Sequence, residues 1–114
     1  MNMVVHDRVF ETDEQGFLLH AEDWSEEYAE KAAEQDGVRL YDESWGLIGY
    51  FHDYYQQYST HPSMRQLVLT LGRQHGMHFH DRKEYEKFLY RLFPRDPVRE
   101  ICKLAGLPMP EPDT

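Results

Sequence analysis

Three amphipathic runs in the second half of the chain, each closed by a helix breaker, constrain the fold more than any other feature. Met64, Leu67, Val68 and Leu71 recur at i, i+3, i+4 and i+7, with Pro62 suited to the first turn and Gly76 as the stop. Tyr85, Phe88, Leu89 and Leu92 repeat that template behind a cap from Asp81 and Glu84, until Phe93-Pro94 ends it. Asp96-Pro97 is a cap followed by proline at the first helical position, and Val98, Ile101, Cys102 and Ala105 form the third stripe. Helices this short are unstable alone, so the three must share one core.

The first half supplies what they pack against. Val4-Val5, Val9-Phe10 and Phe17-Leu18-Leu19 are β-prone runs separated by the turn chemistries His6-Asp7 and Asp13-Glu14-Gln15-Gly16. Asp23 and Glu26 have capping-box spacing for a helix over Trp24–Gln35, closed by Asp36-Gly37. A further helix is expected after Asp42, running to about Tyr58. Its apolar residues, Trp45, Leu47, Ile48, Tyr50, Phe51, Tyr54, Tyr55 and Tyr58, occupy several faces, which predicts a central position. The expected class is α+β: a small N-terminal antiparallel β meander packed on an array of about five helices, with an extended Pro-rich C-terminal arm. One domain over residues 1–114 is expected, divided into meander and first helix (1–40), helical array (41–106) and arm (107–114).

Composition narrows the function classes. Hydrophobic residues make up 40% and aromatics 14%, enough for a packed core at 114 residues. A net charge of −9 makes a nucleic-acid partner unfavourable, since phosphate binding needs clustered Lys and Arg. One cysteine excludes an internal disulfide framework. The N-terminus lacks a signal-peptide pattern and no apolar run approaches the roughly 20 residues of a membrane span, so the expected location is cytoplasmic without membrane insertion. No cofactor is expected.

The chain ends in Cys102-Lys-Leu-Ala-Gly-Leu-Pro-Met-Pro-Glu-Pro-Asp-Thr114, with prolines at alternate positions after a glycine. Proline fixes φ, so Leu107 to Thr114 is predicted to be a stiff, polyproline-like arm hinged at Gly106, reaching about 25 Å at roughly 3.1 Å per residue. Its tip carries Asp113 and Thr114 and no thiol.

Cys102-Lys-Leu-Ala-Gly-Leu-Pro108 resembles the C-terminal signature of the DsrC/TusE family of sulfur-carrier proteins, once called the gamma subunit of dissimilatory sulfite reductase. The resemblance continues through Thr12-Asp-Glu-Gln-Gly-Phe-Leu18, Trp24, Trp45, Asp53-Tyr-Tyr55, Pro62-Ser-Met-Arg65 and Lys87-Phe-Leu-Tyr-Arg-Leu-Phe-Pro94. The block from Lys87 to Pro108 is its most specific part. It implies a C-terminal arm whose penultimate cysteine carries sulfur as a persulfide. It also implies, in many members, a second cysteine eleven positions upstream that receives the first in an intramolecular disulfide. Counting eleven from Cys102 gives Asp113: this chain keeps the upstream position and lacks the sulfur-carrying one. The resemblance further implies that Arg65 and Lys87 lie near the arm, where relatives stabilise a sulfur anion. Arg99 stands where relatives usually carry lysine, and Asp96 where they usually carry glycine.

The candidate residues follow. Cys102 is the sole candidate thiol, with Arg99 and Lys103 beside it, yet its place in an apolar stripe predicts a buried, protonated side chain. Arg65, Lys87, Arg99, Pro108, Pro110 and Asp113 are the candidate binding residues. His75, His78 and His80 have spacing that permits a metal site, but without a partnering cysteine they read as a solvated polar loop, and no metal is assigned. Three functions remain open. In the first, the chain is an interaction module rather than an enzyme, docking on sulfite reductase or sulfur-relay proteins in a regulatory capacity. Alternatively it is a sulfur carrier or thiol redox protein using Cys102 alone. The third reading is a DNA-binding regulator built on a helix-turn-helix-like unit with Arg65, Arg73, Arg82, Lys83 and Lys87.

Overall fold

The computed structural model describes residues 1–74 and 82–110. Two strands, β1 (Asn2–Val5) and β2 (Arg8–Glu11), precede a short 3-10 turn at Ala21–Asp23 and five helices: α1 (Glu26–Asp36), α2 (Asp42–Tyr58), α3 (Met64–Gln74), α4 (Arg82–Leu92) and α5 (Pro97–Leu104). The class is α+β, as the residue pattern predicts.

β1 and β2 form an antiparallel hairpin in register from Asn2 opposite Glu11 to Val5 opposite Arg8. His6-Asp7 makes the connection, with His6 in the left-handed region at φ 54°. Strand alternation turns Met3 and Phe10 into the core and leaves Val4 and Val9 facing outward. The expected third strand is reduced to a single bridge between Thr12 and Leu18. The cause is local: the Asp13 carboxylate accepts hydrogen bonds from the Gln15 and Phe17 amides, at 2.8 and 2.9 Å, and curls residues 13–17 into a turn.

Helix boundaries show three further differences. Ser25 rather than Asp23 caps α1, accepting from the Tyr28 amide at 3.3 Å, because Asp23 and Trp24 are spent on the preceding 3-10 turn. Asp42 is the first residue of α2 rather than the one before it; the Tyr41 amide donates to Ser44 Oγ at 3.1 Å. Ser63 caps α3, accepting from the Gln66 amide at 3.0 Å, which puts the buried Pro62 outside the helix instead of in its first turn. At α5 the expectation holds: Asp96 Oδ1 accepts from the Arg99 amide behind Pro97. The stops and caps assigned to Gly76 and Asp81 lie outside the described residues.

The hub of the core is α5, not the long α2. Eight residues long, it packs against α1, α2 and α4. Pro97, Ile101, Cys102, Leu104 and Ala105 are all enclosed, so several of its faces are buried. α2 buries only Ser44, Leu47, Ile48 and Phe51, leaving Tyr50, Tyr54 and Tyr58 as a ring-to-ring ladder along its flank.

Candidate functional site: the root of the C-terminal arm

A helix C-terminus exposes carbonyls with no intrahelical partner. At α5 they are capped from several directions. Gly106, at φ 73°, lets its own amide reach Lys103 O and the Leu107 amide reach Cys102 O at 2.9 Å, a backbone cap that a residue with a side chain would strain. Trp24 Nε1 donates to Leu104 O at 2.7 Å, and His52 Nε2 lies 2.7 Å from Ala105 O, where it donates if it carries the proton. The Tyr28 hydroxyl is within reach of both Lys103 O (3.1 Å) and Gly16 O (2.8 Å), and its single proton serves one at a time. The Trp24 and His52 rings meet edge to face at 4.4 Å, which holds both donors in place.

Gly106 is therefore no hinge. It is buried, and a Cβ there would stand 2.7 Å from Trp24 Cδ1. Leu107, expected as the first residue of the free arm, is only 5% exposed and belongs to the core. Exposure begins at Pro108. Pro108 and Met109 are exposed and Pro110 is partly covered. Asp113 lies outside the described residues, as do His75, His78 and His80.

Cys102 sits under this root with no exposed surface. Burial, with a smaller push from the Asp96 carboxylate, drives its thiol up to about 12, so the flanking Arg99 and Lys103 do not produce a thiolate. Arg99 extends over the Phe17 ring, 5.3 Å from its centre, and donates to Gln15 Oε1. Lys103 turns the other way, bonding Asp36 Oδ1 at 2.9 Å across the α1–α5 seam. Its stem crosses Gly16, where a Cβ would come within 2.8 Å of Cε. Glu100 completes this polar seam. Burial, followed by its hydrogen bond to Asp36 and that carboxylate's charge, raises its pKa to about 8, against the opposing pull of Lys103 and Arg99. Its Oε2 is buried with no partner among the described residues.

The candidate cations stand on three different helices. Lys87 lies on the exposed face of α4 in a groove with Lys83, Glu86, Tyr90 and Arg91. Arg65 is exposed on α3, and Arg99 is held at the hairpin side by Gln15 and Phe17. Trp24, Tyr28 and His52 are the residues that reading for function missed. Trp24 stood out in sequence only as part of a resemblance, and nothing local marks Tyr28 or His52, whose acceptors lie 75 and 53 positions away. Among the described residues no group of three potential ligands could hold a metal, and no helix is long and apolar enough to cross a membrane.

The sequence profile described as DsrC like protein matches residues 4–112. The chain belongs to the DsrC/TusE family. Sulfurtransferase TusE of Yersinia pseudotuberculosis is 38% identical over 103 residues, covering 90% of this chain and 92% of the relative. The Escherichia coli TusE is 34% identical over 108 residues, covering 95% of each. Among solved structures, Allochromatium vinosum DsrC superposes with a TM-score of 0.84 at 34% identity, over 99% of this chain and 97% of that one. The oxidized gamma-subunit of the dissimilatory sulfite reductase from Archaeoglobus fulgidus gives 0.76 at 31% identity over the whole of both chains. Sulfur metabolism is thus the setting of this DsrC/TusE protein.

Proposed function

We propose that this chain is a sulfur-metabolism interaction module that presents its C-terminal arm to sulfite reductase or to sulfur-relay proteins without itself carrying sulfur. The observation that carries the reading is the pairing of a rigidly capped arm root with an enclosed thiol. Three side chains and two backbone amides fix where the arm departs, while Cys102 beneath it is protonated and enclosed. Position 113, where the resemblance places the carrier cysteine, is aspartate. A presenting device without the cargo thiol can dock, compete or regulate, which is how a fold persists after its chemistry is lost. Arg65, Lys87, Arg99, Pro108, Pro110 and Asp113 are the proposed contacts. Prolines reduce the ordering cost of docking the arm.

The test uses a purified sulfite reductase and a purified sulfur-relay complex as ligands. Full-length chain should bind one of them, and a chain ending at Leu107 should lose that binding. In parallel, treatment with a persulfide donor and intact-mass measurement should show no added sulfur atom. Sulfur stably loaded on Cys102 under native conditions would replace this reading with that of a carrier using Cys102 alone. Undiminished binding by the truncated chain would remove the arm from the interaction.

A further inference from the structure

In a chain of 21 acidic and 12 basic residues, Lys31 and Lys103 are the described lysines or arginines that form ion pairs, and most of the others stand singly along the sequence. Yet Lys83, Lys87 and Arg91, all exposed and spaced i, i+4, i+8 along α4, make no ion pair among the described residues. Tyr90 stands in the same groove, 43% exposed. Like charges one turn apart work against their own helix, and the one carboxylate in the groove, Glu86, forms no ion pair with them, so the stability of α4 does not account for the stripe.

The same spacing with opposite sign occurs on α1. Glu26, Glu30 and Glu34 are exposed at i, i+4, i+8, and only Glu34 has a cation near it, Lys31 at 3.7 Å. Glu30 and Glu34 border a shallow groove whose floor is Ala33, Val38 and Leu40, with Arg39 as the one cation on its rim, where it could meet Glu86 of the facing groove. An apolar floor rimmed by two carboxylates is the complement of an exposed phenol ring flanked by cations. The two stripes do not pair with each other within the chain.

We propose that this chain self-associates head to tail, the basic face of α4 on one copy seating on the acidic groove of α1 on the next, with Tyr90 over Ala33, Val38 and Leu40. The contact is heterologous, each copy offering one face of each kind, so it extends into open chains unless the rotation closes a ring. A second copy is favoured over another partner because the molecule itself carries both halves, matched in sign, spacing and apolar centre. Lys87 is the one residue this surface shares with the proposed docking contacts, and the self-association does not depend on the sulfur-module reading.

Charge-reversal complementation tests it. K83E/R91E and E30K/E34K each destroy one face; K83E/R91E also creates favourable i, i+4 pairs with Lys87, and retained helicity by circular dichroism checks that both fold. In sedimentation velocity at near-physiological ionic strength, the wild-type mass should rise above 13.7 kDa with concentration. Each variant alone should stay at the monomer mass, because its two faces then carry the same sign; their equimolar mixture should associate again, one native and one sign-reversed pair of faces joining the two variants in alternation. A wild-type chain that remains monomeric throughout overturns the proposal and leaves the basic face to an acidic partner protein or a nucleic acid. Variants that associate as well as wild type, or a mixture that does not associate, overturn it equally.

Discussion

Cys102 is enclosed by its neighbours and its thiol is pushed up to about 12. A bulky thiol reagent should therefore label it slowly in the folded chain and rapidly in denaturant; equal rates would show that the cysteine is open. Cys102→Ser should cost about 1–2 kcal/mol in a denaturant melt, because a hydroxyl replaces an apolar group. Glu100 gives a pH dependence. Its folded pKa is raised from 4.5 to about 8, so the fold favours the protonated form. That contribution is fully present below the unfolded value and is lost as pH rises through the folded one. Wild-type thermal stability should fall from about pH 5 to beyond pH 8 more steeply than that of Glu100→Gln, which has no proton to lose. Parallel profiles would mean that Glu100 titrates normally. Lysine at 103 was visible beside the cysteine in sequence, but its bond to Asp36, 67 positions away, was not.

At the scale of elements, the end of α5 and the start of the arm behave as one unit. Trp24→Phe removes the donor to Leu104 O and leaves a buried carbonyl unpaired, which should cost about 1–3 kcal/mol. Leu107→Ala opens a hole in the core and should cost about 2–4 kcal/mol, whereas deleting residues 108–114 should leave the melting temperature nearly unchanged. The contrast corrects the expectation that the free arm starts at Leu107. If both changes were equally harmless, the anchor would have no energetic content. The i, i+3, i+4 spacing placed α3, α4 and α5, because that period reports which side of a helix meets the core, whereas turn and cap residues placed the hairpin and α1, and a dense apolar run placed α2. Helix starts at α1 and α3 were displaced, because Ser25 and Ser63 competed with Asp23 and Pro62 as local signals of similar strength.

For the whole molecule, restoring the family arrangement is the broadest test. Asp113→Cys should form a disulfide with Cys102 only if the arm folds back to bring their Cα atoms within about 4.4–6.8 Å and the root loosens enough to expose the enclosed thiol. Non-reducing mass analysis under mild oxidant should show slow closure in the folded chain, faster when Trp24→Phe weakens the root. Closure equally fast with an intact root would mean that the cap does not guard Cys102. The sequence alone determined the α+β class, the apolar stripe of α5, the likeness to sulfur-carrier proteins and the missing carrier cysteine, since each is written in neighbouring residues or in a local motif. Only the tertiary structure decided that α5 rather than α2 is the hub, that Gly106 is clamped, and that Trp24, Tyr28 and His52 hold the arm root. Those outcomes depend on partners 53 to 80 positions apart, and hydrogen bonds over such separations exist only once the chain has packed.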